Sequence, residues 1–164
     1  MTTRAEPTAP ALQWTDELAL GVPRVDDTHR EFVDCYQVLA AAETQEARLA
    51  ALETFIAHCE RHFAQEDRWM KIVGFPGCHE AEHARVLGVL REIRDLLAQG
   101  DTTWLAQLIR EIPEWFLTHA AGMDSALVLF LNERGFDFER ETLPDGAHPF
   151  TCGPAACTTA SGGC

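Results

Sequence analysis

His62 and Glu66 stand four residues apart in the chain, and so do His79 and His83. On an α-helix, at about 100° and 1.5 Å per residue, a four-residue step comes round to within roughly 40° and rises about 6 Å. If the segments are helical, both side chains of each pair face one point. His29, His119 and Asp124 offer two further imidazoles and a second carboxylate. His119 and Asp124 are five apart, which is about 140° on a regular helix. Either they straddle a site or the turn widens around Gly122 as a π-bulge. Nitrogen and carboxylate donors without thiolate suit an intermediate transition ion, iron above all, with zinc and manganese also compatible by donor type. Seven donors are too many for one tetrahedral zinc and suit two ions with the carboxylates bridging them.

The elements that must carry these residues are helices, because apolar side chains recur at three- and four-residue intervals while strand-like alternation is nearly absent. The periodicity predicts a first helix from about Val25 to Glu43, a second from Glu46 to Val73 and a third from Cys78 to just before Gly100. A fourth runs to about Arg134, capped by Asp101 or Thr102. Gly74 and Gly135 are the expected stops, and Pro76 prevents resumption of the second helix. Pro113 sits inside the fourth pattern and is expected to kink or divide it. Short connections between four such helices imply an all-α, up-down-up-down four-helix bundle. Its expected limits are residues 14–135, between an N-terminal arm at 1–13 and a Cys-containing tail at 136–164 with little regular structure from Leu143 onward.

On these helices His29, His62, Glu66, His79, His83 and His119 fall where the pattern calls for Leu or Val, and Asp124 lies one past the seam residue Met123. A lone histidine on an apolar face is more often a packed core residue than a ligand. Five of them converging with two carboxylates are not explained that way, since a buried unpaired carboxylate costs several kcal/mol. His58, one turn before His62, is an alternative donor; the facing argument places it on a helix flank.

Composition narrows the rest. The chain has 164 residues, 46% hydrophobic and 24% charged, as expected of one soluble globular domain. Its 26 acidic and 13 basic residues give a net charge of −13, which disfavours nucleic acid and anionic membranes as partners. No apolar run approaches the roughly 20 residues of a membrane span, and the first eleven residues lack the apolar core of a secretion signal. A cytoplasmic location is the expectation, with Cys35, Cys59 and Cys78 as free, mostly structural thiols.

Taken in order, several short motifs resemble the bacterial branch of the hemerythrin family. They are Trp14 with Gly21, Val25-Asp26-Asp27-Thr28-His29, His62-Phe63-Ala64-Gln65-Glu66, Met70, Phe75-Pro76, His79-x-x-x-His83 and Trp115-x-x-x-His119-x-x-x-x-Asp124. The resemblance implies a non-heme diiron centre with an oxo or hydroxo bridge. His79, His83 and His119 would bind one iron, His29 and His62 the other, and Glu66 and Asp124 would bridge them. It implies reversible dioxygen binding at the open position of the two-histidine iron, for storage, delivery or sensing, rather than an enzymatic role. Phe63, Trp69, Leu87, Trp115 and Met123 are candidate pocket walls, although ordinary core packing explains each equally well. The connection from Pro76 to His79, only Gly77 and Cys78, is shorter than the family pattern.

Two other functions fit the same donors: a diiron oxidase or peroxidase, and an oxygen- or redox-sensing module acting through a protein partner the sequence does not identify. Histidine-rich ligation leaves few open positions for a substrate, which argues against the enzyme. The tail cysteines Cys152, Cys157 and Cys164 have CxxxxC rather than CxxC spacing, so incidental thiols are the simpler account. A redox or metal-handling appendage that includes His148 is the alternative.

Overall fold

A computed structural model describes residues 12–150. The helices are α1 (Pro23–Ala41), α2 (Gln45–Val73), α3 (Cys78–Ala98), α4 (Thr103–His119) and α5 (Ser125–Glu133). A π turn, Ala120–Asp124, joins α4 to α5 as one long rod. Each helix packs on its neighbour in sequence and α1 closes against α4, so the four rods form the expected bundle. No helix among the described residues is long and apolar enough to cross a membrane.

Local chemistry explains the boundaries. Pro23 opens α1 at a position whose N–H has no helical partner in any case. Thr44 caps α2, its hydroxyl accepting from the Ala47 amide at 3.2 Å. Gly74 ends α2 in the left-handed region, at φ 73°. At the start of α4 the side-chain cap comes from Asp101, which accepts from the Thr103 amide at 2.9 Å, and not from Thr102.

Pro113 does not divide the fourth helix; α4 is continuous through it. Proline lacks the N–H that would bond the carbonyl four residues back, Ile109. The Tyr36 hydroxyl on α1 donates to that carbonyl at 2.9 Å and satisfies it. The break comes later, at the π turn.

The core is layered. One apolar cluster, including Phe32, Phe55, Phe63, Leu97 and Phe116, occupies the end of the bundle near the α1–α2 and α3–α4 connections. A second, with Val25, Trp69, Val73, Leu127 and Leu131, fills the other end. Along α1, His29 lies between Val25 and Phe32; along the fourth rod, Asp124 lies between Ala120 and Leu127. The polar donors thus form a layer between two greasy ones.

Two flanking segments fasten the layers. Asp26 is buried and accepts from the Leu20 and Gly21 amides at 2.7 and 3.2 Å, tying the incoming chain to α1. After α5 the chain turns back: Phe136 is buried, Asp137 and Thr142 pair as an isolated bridge, and the Phe150 amide donates to the Val73 carbonyl at 2.7 Å. Arg24 spans the join, donating to the Phe138 carbonyl at 2.6 Å and to Glu141 at 2.8 Å. Cys35 and Cys59 are free thiols, whereas Cys78 is disulfide-bonded, against the expectation that all three stay reduced. Cys152, Cys157 and Cys164 lie outside the described residues.

Candidate metal centre

Four rods deliver the polar layer. α1 supplies His29, α2 supplies His62 and Glu66, α3 supplies His79 and His83, and the fourth rod supplies His119 and Asp124. All seven are buried, none more than 5% exposed. The π turn resolves the awkward five-residue step, because its repeat is i→i+5 and brings residue 124 back under residue 119. Asp124 Oδ1 consequently lies 3.1 Å from His119 Nε2.

The seven sort into two overlapping groups whose donor atoms lie within 4.8 Å of one another: Glu66, His79, His83, His119 and Asp124, and His29, His62, Glu66 and Asp124. The carboxylates divide their oxygens between the groups. Glu66 Oε1 faces His62 Nε2 at 3.2 Å, while Oε2 faces His79 and His83 at 3.4 Å each. Asp124 Oδ2 faces His29 at 3.1 Å, while Oδ1 faces His79 at 3.0 Å as well as His119. The Nε2 atoms of His79 and His83 lie 3.1 and 3.3 Å from that of His119. Donors around an ion with bonds of about 2.1 Å are spaced about 3 Å apart along the polyhedron edges, so the distances fit convergence on a cation.

Hydrogen bonding alone does not satisfy this layer. Both nitrogens of His29, Glu66 Oε2 and both Asp124 oxygens are buried without a hydrogen-bond partner. The His29–Asp124 contact is short, yet neither atom gains a properly directed bond from it. Orphaned buried polar atoms cost free energy that a shared cation recovers, so the residues present fit a metal. The protonation states agree. Burial, and then the adjacent Asp124 charge, raises the Glu66 carboxyl to about 8. Burial lowers His62 to about 4. For Asp124 burial acts upward, but the imidazoles of His119, His29 and His79, each within 3.1 Å, outweigh it and hold the carboxyl well below its usual range. Two like charges in one dry space push their titrations apart unless a cation neutralises both.

Aromatic rings brace the donors. Phe63 lies flat on His83 (centroids 4.1 Å, planes 3° apart) and Trp115 stacks on His119 (4.7 Å, 22°). These are two of the expected walls. Trp69 is not one: it packs edge-on to Phe136 and Phe138 in the far apolar cluster. Leu87 and Met123 are half-buried. Phe116, not among the expected walls, meets His29 edge-on at 5.3 Å. A cavity of about 110 Å³ opens beside Phe32 and Trp115, lined also by Phe55, Val86, Leu90 and Ile112.

His58 stays outside the donor layer, on the flank expected for it, but that flank is not open to solvent. It is buried, against Phe32 at 6.1 Å and near Glu31 at 3.6 Å, because the α1–α2 interface covers that flank. Burial, and then His62, lowers it to about 4, but it belongs to neither donor group. His148 is exposed. Sequence reasoning missed Asp67, whose Oδ1 lies 2.9 Å from His83 Nδ1. It also missed Glu82, which accepts from Trp115 Nε1 at 2.9 Å. Neither interrupts an apolar pattern, so periodicity carried no signal for them.

An all-α bundle with a histidine–carboxylate layer across its middle defines a metal-binding helical protein. Residues 20–131 match the hemerythrin HHE cation binding domain, and the chain belongs to the hemerythrin family. It is similar to a bacteriohemerythrin of Ralstonia nicotianae, 41% identical over 135 residues that cover 80% of this chain and 97% of that protein. A bacteriohemerythrin of Stenotrophomonas maltophilia is 28% identical over 140 residues, covering 82% and 91%.

Proposed function

We propose that the protein binds dioxygen reversibly at a pair of iron ions held by His29, His62, Glu66, His79, His83, His119 and Asp124. The observation that carries this reading is the division of the Glu66 and Asp124 oxygens, one toward each donor group. A carboxylate so placed suits a bridge between two cations better than a chelate on one. Zinc and manganese accept similar donors, but family membership favours iron.

The groups are unequal, with five protein donors in one and four in the other. The four-donor group leaves more room for a small exogenous ligand, so His29 and His62 mark the side where dioxygen is taken up. When present, iron supplies the electrons that hold dioxygen. The chain's own part is to orient the imidazoles, set two carboxylates side by side and exclude water. Phe63, Trp115 and Phe116 do the last, since each presents a ring face or edge to a donor histidine. A dry, apolar surround disfavours proton entry and escape of charged products, which suits release of dioxygen unchanged. The same layer would serve oxygen storage, delivery or sensing.

The test is anaerobic reconstitution with Fe(II), with iron counted per chain and the absorption spectrum followed as dioxygen is admitted and removed. Two irons and a visible band that disappears under argon and returns with oxygen are expected. Steady consumption of dioxygen with turnover would instead identify an oxidase.

A further inference from the structure

The five donor histidines differ in what holds the nitrogen turned away from the centre. His83 Nδ1 has a carboxylate partner, Asp67 Oδ1, at 2.9 Å. Nδ1 of His29, His62 and His79 is buried with no partner. The His83 ring is also clamped flat by Phe63. In the same donor group His119 is held by Trp115, whose Nε1 is fixed by Glu82, itself bound twice by Arg85 at 2.7 and 2.8 Å. The four-donor group has no such brace: His29 meets only ring edges from His62 and Phe116.

A carboxylate on the far nitrogen of a metal-binding imidazole keeps the proton there, leaves the near nitrogen free as donor and raises its basicity. We propose that Asp67 is a positioning residue that, through His83, makes the five-donor pocket the tighter of the two, so that metal loads there first and leaves there last. The inference rests on the two-ion reading above. Asp67 reaches His83 from α2, one residue beyond Glu66, so one helix both supplies a shared donor and orients a donor of its neighbour. Its side chain is 23% exposed, with Lys71 and Glu80 as its charged neighbours, so it reaches His83 from the rim of the dry layer rather than from inside it.

The test uses the intact protein loaded anaerobically with Fe(II) and challenged with excess chelator, following iron release over time. The wild type is expected to release two irons in two phases. In Asp67→Asn the slow phase should accelerate about 10- to 100-fold, the range typical for loss of such a partner, while the fast phase stays put. Asp67→Glu should restore much of the slow phase, and the ¹⁵N resonance of His83 Nδ1 in metal-free protein should move in Asp67→Asn and no other histidine's should. Acceleration of both phases alike, or of neither, overturns the inference while leaving two-iron binding intact. A wild-type protein that takes up a single iron overturns the underlying reading and this inference with it.

Discussion

Deleting donors one at a time separates the two pockets, because only Glu66 and Asp124 belong to both groups. His29→Ala removes a donor from the four-member group and leaves Glu66, His79, His83, His119 and Asp124 untouched, so iron per chain should fall from two to one. Glu66→Ala removes a donor from each group, leaving four and three, so it should lose one iron and weaken the hold on the other. The thermal consequence follows from linkage. A ligand at 100 times its dissociation constant stabilises the folded state by about 2.7 kcal/mol, so two independent ions contribute about 5 kcal/mol. For a domain of this size each kcal/mol moves Tm by about 3–4 °C. Iron should therefore raise the wild-type Tm by roughly 15–20 °C, the His29→Ala Tm by roughly half that, and the Glu66→Ala Tm by less still. Differential scanning calorimetry of metal-free and loaded samples, with iron counted by atomic absorption, reads both quantities. If His29→Ala keeps two irons or loses both, or if iron leaves the wild-type Tm unmoved, the assignment of donors to two overlapping pockets is wrong.

Three further expectations concern the frame around the site. Tyr36→Phe leaves the Ile109 carbonyl without its donor beside Pro113 and should cost about 1–3 kcal/mol in urea denaturation; an unchanged midpoint would show that α4 tolerates the proline unaided. Gly74→Ala forces a side chain into left-handed backbone and against Phe150, so a loss of more than about 1 kcal/mol is expected, with the 136–150 segment exchanging amide hydrogens faster. Arg68, with help from Arg24, holds the Glu141 carboxyl below its usual range. A depressed folded-state value means its contribution is present above the ordinary carboxylate range and disappears as pH falls through the folded value. Glu141→Gln should thus cost up to about 1 kcal/mol at pH 7, as for partly exposed pairs, and less as pH falls below the ordinary carboxylate range; a cost that does not change with pH would refute the ionic account.

The helices and the buried histidine–carboxylate layer were legible in the sequence because burial is written in periodicity. A histidine at a position that should be leucine announces itself, and Gly74 and Pro76 mark a helix end by their backbone constraints alone. The five-residue step from His119 to Asp124 left two geometries open, and the π turn settled which one holds. Contacts between elements were not legible. Tyr36 rescuing the fourth helix across Pro113 depends on the rotation of α1 against α4, which no local pattern encodes. The burial of His58 was hidden for the same reason: a helical wheel gives direction, but the width of the covered stripe is set by the neighbouring helix. The partners of Asp67 and Asp26 carry no signal in the periodicity, because each residue sits beside the apolar stripe and meets its partner only after folding.

The scatter of donors along the chain also sets a timetable. During synthesis Glu66 emerges with His29 and His62 already made, but Asp124 follows roughly sixty residues later, about 3–12 seconds at ordinary elongation rates. Through that interval the nascent segment gathers His79, His83 and His119 as well, but it lacks the second carboxylate and can capture whatever cation is abundant before the donor set is complete. Correct metallation is therefore a task for the finished polypeptide, and a cell making this protein quickly in zinc-rich medium should accumulate mismetallated chains.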